Sequence, residues 1–188
     1  GIEQADSFVF NPHKWMFTNF DCSVYLVKDA GTLIKTFEIL PEYLKTKTRG
    51  AVNDYRDWGV PLGRRFRALK LWFVIRSFGL EGIREKLRGH IRMNQQFSEK
   101  LAKIEHLVLP LKPFLNFTCF RLQPEGMDDP DALNALNEAF LEEINSSGRL
   151  YLTHTKIDGF YTIRMLIGQT YVDEGHVDLA AEHIASAA

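Results

Sequence analysis

The chain has 188 residues, 23 Lys and Arg against 24 Asp and Glu, a net charge of −1, and 45% hydrophobic residues. That length suits one ordinary domain or one and a half small ones, and the balanced charge provides no global field for nucleic acid or an anionic membrane. No apolar run reaches the roughly 20 residues that span a bilayer; the longest, 69–78, is interrupted by Lys70, Arg76 and Ser77.

Cys22 and Cys119 form no metal-ligand spacing, and we expect two reduced, buried thiols in a cytoplasmic protein. The start at Gly1 has neither a basic nor an apolar leader and no initiator Met, which suggests a fragment or a processed chain.

In chain order, 7–11 reads as a short apolar strand (Phe8, Val9, Phe10) ending at the turn-forming pair Asn11-Pro12. A second strand is expected over 22–27, where Val24, Tyr25, Leu26 and Val27 form a β-prone run. Lys14 then falls on a loop between two strands at a sheet edge, a common place for a site. Residues 41–54 show no period, carry Lys45, Lys47 and Arg49, and read either as an exposed mobile loop or as an ordinary solvated connection. Pro61 looks like the first-turn proline of a helix running to Gly79, whose second half is apolar nearly all round and so is expected to be buried between layers.

A basic amphipathic helix follows over 82–104, then a strand over 114–122. The helix predicted over 131–146 places Leu133, Leu136, Phe140 and Ile144 on one face. Residues 150–155 and 160–167 read as a hairpin over Asp158-Gly159. Thr170 and Asp173 resemble a capping pair for a last helix with Val177, Ala180, Ala181 and Ile184 inside. From about residue 80 onward these pieces predict a small α+β layer structure. His176 and His183 lack a ligand set for zinc, and Arg56, Arg64, Arg65 and Arg67 read as ion-pair formers rather than a nucleic-acid patch.

Asn11-Pro12-His13-Lys14-Trp15 is the sharpest feature. An ammonium in a partly dry pocket loses proton affinity, and such a lysine can act as an amine nucleophile toward an aldehyde. From these five residues alone, an exposed turn lysine is the commoner case.

Two longer strings carry a resemblance. DSFVFNPHKWMFTNFDCSVYLVKD is similar to the cofactor-lysine segment of the group II pyridoxal-phosphate (PLP) decarboxylases, and DYRDWGVPLGRRFRALKLWFVIRSFGLEGIR is similar to a second segment of that family, in the same order. With the C-terminal pattern, the resemblance covers essentially all 188 residues. His13, Trp15 and the LGRRFR-LK-WFV string look like the aromatic L-amino-acid branch.

The resemblance implies an α/β fold: the end of the large PLP-binding domain of a fold type I, aspartate-aminotransferase-like enzyme over 1–69, and a small C-terminal α+β domain over 70–188. It implies decarboxylation of tyrosine, dihydroxyphenylalanine, tryptophan or hydroxytryptophan to the amine and CO2. Lys14 matches the Schiff-base lysine, and Asn11 and His13 match positions beside the cofactor phosphate. Phe20, Leu62 and Gly63 match the substrate cleft. Tyr43 matches the tyrosine of the mobile catalytic loop, with packing at the loop base as the alternative.

The family also places a pyridinium-nitrogen Asp, a ring-stacking His and most phosphate contacts upstream of the lysine segment. The implied partners are therefore an upstream portion of the same enzyme and a second subunit of a homodimer. Two alternatives are a non-catalytic C-terminal interaction module and an oxidative aldehyde synthase, in which Phe typically replaces the loop tyrosine; Tyr43 argues against the latter.

Overall fold

A computed structural model describes residues 1–39 and 52–188. The chain forms two compact units, Gly1–Gly79 and Leu80–Ala188.

The first unit opens with an antiparallel pair, β1 (Ser7–Phe10) and β2 (Val24–Val27), in the register Ser7↔Val27 to Phe10↔Val24. β1 ends at Phe10 because the chain turns at Asn11. There Pro12, locked at a helical φ and lacking an N–H, begins a single helical turn, α1 (Pro12–Trp15). The predicted loop around Lys14 is therefore a helical turn in the connection of a hairpin. Helix α2 (Ala30–Phe37) starts at Asp29, whose carboxylate accepts from the Gly31 N–H at 2.9 Å.

Helix α3 (Arg67–Leu101) is broken at Gly79, where φ 67° and ψ 169° lie outside helical space. A side chain at that positive φ would strain the backbone, and the break separates the two units. Two expectations change here. Pro61 lies outside the helix, which begins at Arg67 after the non-helical stretch 61–66. The first part of α3 is also not buried among the described residues: Trp72 and Phe73 are more than half exposed, as are Val9 of β1 and Leu26 of β2. Apolarity on all sides predicts contact on all sides, and among the described residues these faces have no covering layer.

The second unit is a four-stranded antiparallel sheet in the order β3-β4-β6-β5: β3 (Leu107–Val108), β4 (Phe117–Leu122), β5 (Thr153–Ile157) and β6 (Phe160–Leu166). The β5–β6 turn uses Asp158 (φ 51°) and Gly159 (φ 85°), both left-handed as a two-residue hairpin requires. Helix α4 (Pro130–Ser146) and helix α5 (Glu174–Ala187) complete the unit. Its core joins Phe97 and Leu101 of α3 with Phe120, Phe140, Ile144, Ile163 and Ile184, and Phe120 meets Phe97 and Phe140 edge to face.

The predicted α4 face holds, with Leu133, Phe140 and Ile144 buried and Leu136 packed partly against the core. The four predicted inward residues of α5 are all buried. Asp173 alone caps α5, accepting from the His176 N–H at 3.0 Å, while the Thr170 carbonyl accepts from Lys86 Nζ at 2.9 Å. Three asparagines of α4 tie it to sheet backbone. Asn137 accepts from Leu122 N–H at 2.7 Å and donates to the Leu122 carbonyl at 2.9 Å, Asn145 pairs Leu152 in the same manner, and Asn134 accepts from Tyr161 N–H. Each amide thus satisfies main-chain groups of a buried residue.

Cys22 and Cys119 are free and buried. Among the described residues no group of His, Cys, Asp and Glu could hold a metal ion, and no helix is long and apolar enough to cross a membrane.

Candidate active site

Asn11, His13, Lys14 and Phe20 all lie between β1 and β2. The helical turn is closed by the Lys14 N–H donating to the Asn11 carbonyl at 2.9 Å. Pro12 is buried beneath it, so the turn is anchored on its proline side. The Lys14 side chain is exposed and, among the described residues, its amine engages no acceptor. The partly dry pocket expected around it is not formed by the described residues.

His13 is held through a single ring nitrogen. Nδ1 lies 2.7 Å from the Cys22 carbonyl and 3.1 Å from the Cys22 amide nitrogen. When protonated, Nδ1 donates to the carbonyl; when bare, it accepts from the N–H. Either way Nε2 stays available, and it can donate to an anion in the Nε2–H tautomer or in the doubly protonated ring. Asn11 is committed on one side only: its Oδ1 accepts from Ser23 Oγ at 2.6 Å, which leaves the Nδ2 amide as a donor.

Phe20 is 84% exposed, and its ring meets His13 edge to face with centroids 5.0 Å apart. Packing therefore does not place it. The flanking backbone does: Lys70 Nζ donates to the Asn19 carbonyl at 3.0 Å and to the Asp21 carbonyl at 2.7 Å. Arg67 Nε donates to Asp21 Oδ2 at 2.9 Å, and this hydrogen bond holds the Asp21 carboxyl below the usual carboxylate range. Cys22 Sγ reaches the Arg67 carbonyl at 3.7 Å.

Leu62 and Gly63 are exposed on the 61–66 stretch, and a Cβ added at Gly63 would meet nothing within 4 Å. Among the described residues no hydrogen bond or ring contact joins them to the lysine turn. Tyr43 lies outside the described residues.

Arg67 pairs with Asp21 and Arg56 with Asp57, as their reading as ion-pair formers requires. Sequence reasoning missed Asp21, Cys22, Ser23 and Lys70. Their contacts join residues up to 51 apart in the chain.

The donors present suit a phosphorylated aldehyde. An unengaged primary amine can condense with the carbonyl carbon, and the amide of Asn11 and the imidazole of His13 can donate to a phosphate.

The profile of the pyridoxal-dependent decarboxylase conserved domain matches residues 1–123. "Tyrosine decarboxylase 4" of Petroselinum crispum is 42% identical over 185 residues, a match covering 96% of this chain and 36% of the relative. A crystal structure of Oryza sativa TDC with PLP and tryptamine superimposes with a TM-score of 0.92 at 31% identity, covering 100% of this chain and 39% of that one. Rhodiola rosea 4-hydroxyphenylacetaldehyde synthase gives 0.84 at 29% identity, covering 38% of its chain. The chain thus spans well under half the length of these relatives, and it is a member of the pyridoxal-dependent decarboxylase family, with the fold of a C-terminal portion of a fold type I enzyme.

Proposed function

We propose that this chain is the C-terminal part of an enzyme that uses PLP to remove the carboxyl group of an aromatic L-amino acid, releasing the amine and CO2. The observation that carries this reading is the Lys14 turn itself: an amine that engages no acceptor among the described residues, with donors at Asn11 and His13 on the same turn and an exposed phenyl ring at Phe20 beside them. The sequence likeness to a tyrosine decarboxylase and the structural likeness to TDC with tryptamine support an aromatic substrate.

In this reading Lys14 holds the cofactor through its ε-amine, and Asn11 Nδ2 and His13 Nε2 donate to its phosphate. Bound PLP supplies an electron sink for the pair left on Cα when CO2 departs. Phe20 and Leu62 receive the substrate ring, and the open space at Gly63 gives it room. The Tyr43 hydroxyl returns a proton to Cα, restoring its valence after the carboxyl group is lost.

In this reading residues 1–69 are the end of the large domain and residues 70–188 the small domain. An upstream portion of the same enzyme and a second subunit complete the cleft. The exposed apolar residues Val9, Leu26, Trp72 and Phe73 support such cover. We place the enzyme in the cytoplasm.

The whole enzyme, upstream portion included, tests this with tyrosine, dihydroxyphenylalanine, tryptophan and hydroxytryptophan. Amine and CO2 in equal amounts without peroxide support the reading. Aldehyde, ammonia and peroxide would make it an oxidative aldehyde synthase, the chemistry in the name of its Rhodiola rosea structural neighbour. No turnover of any of the four would favour a non-catalytic module.

A further inference from the structure

We propose that Lys70 is the positioning residue for Phe20: its ammonium grips the carbonyls on both sides of that residue and so sets where the ring stands in the substrate cleft. This rests on the assignment of Phe20 to the cleft above.

Phe20 cannot be placed by burial, because 84% of it is open. The position of an exposed phenyl ring depends on its rotamer and on the backbone that carries it. Lys70 restrains that backbone. Its amine donates to the Asn19 carbonyl at 3.0 Å and the Asp21 carbonyl at 2.7 Å, the acceptors immediately before and after Phe20. Arg67, one helical turn earlier on α3, fixes the Asp21 side chain through its Nε at 2.9 Å. The neighbouring residue, Cys22, is held at its main chain by His13 Nδ1, which donates to the carbonyl when protonated and accepts from the N–H when bare. The result is a short arch, 19–22, tied at Asn19, Asp21 and Cys22, with the Phe20 ring standing edge to face on His13.

A lysine suits this task. Its three N–H donors on a single nitrogen can reach two carbonyls that converge on a point. A ring that contacts substrate in ground state and transition state alike contributes uniform binding, so its displacement raises KM and spares kcat.

The test uses the whole PLP-loaded enzyme. Lys70→Met, which keeps the stem and deletes the donors, is expected to raise KM for the aromatic amino acid by about tenfold with kcat within about twofold. PLP attached to Lys14 and the melting temperature should stay unchanged. Lys70→Arg should recover most of the KM. Combined with Phe20→Ala, Lys70→Met should add nothing further, because the ring it positions is gone. If Lys70→Met does not fold, Lys70→Gln, which keeps one donor group, is read in the same way and should give an intermediate KM. An unchanged KM, or a KM effect that adds in full to that of Phe20→Ala, overturns the proposal while leaving the function intact. Absence of PLP on Lys14 in the unsubstituted enzyme would sink the underlying assignment instead.

Discussion

His13 Nδ1 sits within hydrogen-bond reach of both the carbonyl and the amide of Cys22, at 2.7 and 3.1 Å. The ring is therefore anchored in every protonation state, and Nε2 always points away from the anchor. Replacing His13 by Phe keeps an aromatic partner for Phe20 but deletes the phosphate donor. A hydrogen bond to a charged group contributes about 1.5–3 kcal/mol, so PLP should bind roughly ten- to a hundredfold more weakly. Titration of the apoenzyme by fluorescence reads this directly, and unaltered affinity would remove His13 from the phosphate site.

Asn137 serves both main-chain groups of Leu122 from a fully buried position. Asn137→Leu matches it in size but leaves an N–H and a carbonyl unpaired in the core. Each such group costs about 1–3 kcal/mol, so the variant should lose about 2–5 kcal/mol of stability in denaturant unfolding. A loss under about 1 kcal/mol would mean that water or a backbone shift replaces the amide.

Phe120 is completely buried between Phe97 and Phe140. Phe120→Ala opens a cavity that three separate elements line, with an expected cost of about 3–5 kcal/mol. Thermal or denaturant unfolding measures it, and a cost below about 1 kcal/mol would show that the core collapses around the gap.

His90 is almost wholly buried, and burial holds its imidazole below the ordinary histidine range despite a hydrogen bond with the Gln169 backbone that acts the other way. The neighbouring Lys86 charge pushes in the same direction as burial. The unfolded chain therefore binds the proton first as pH falls. Stability is intact above the ordinary histidine value of about 6.5 and declines below it with a slope of at most one proton. Stability against pH for the wild-type enzyme and His90→Gln should diverge only below that value; parallel curves would show that His90 does not titrate in this window.

The second unit was readable from the sequence because it closes on itself. Leu133, Phe140 and Ile144 lie at helical spacing on α4, Asp158-Gly159 demands a two-residue turn, and the α5 residues all point to one core. The first unit was readable only in part. Apolar residues such as Trp72 and Phe73 state that a surface is to be covered but not by what, and here they stand exposed. Pro61 matches a helix start in type, yet the helix waits until Arg67. At the site, Lys14, His13 and Asn11 were visible because they are neighbours in the chain. Lys70 and Arg67 were visible only as members of a basic helix start, since their role depends on an arch that lies 46 or more residues earlier.

Covalent trapping is the most direct measurement of the central claim. The whole enzyme, loaded with PLP and reduced with borohydride, should yield one labelled peptide after proteolysis, carrying the phosphopyridoxyl mass on Lys14. Lys14→Ala should yield none. Label on a different lysine, or an unlabelled Lys14 in protein that forms amine from an aromatic amino acid, would contradict the account.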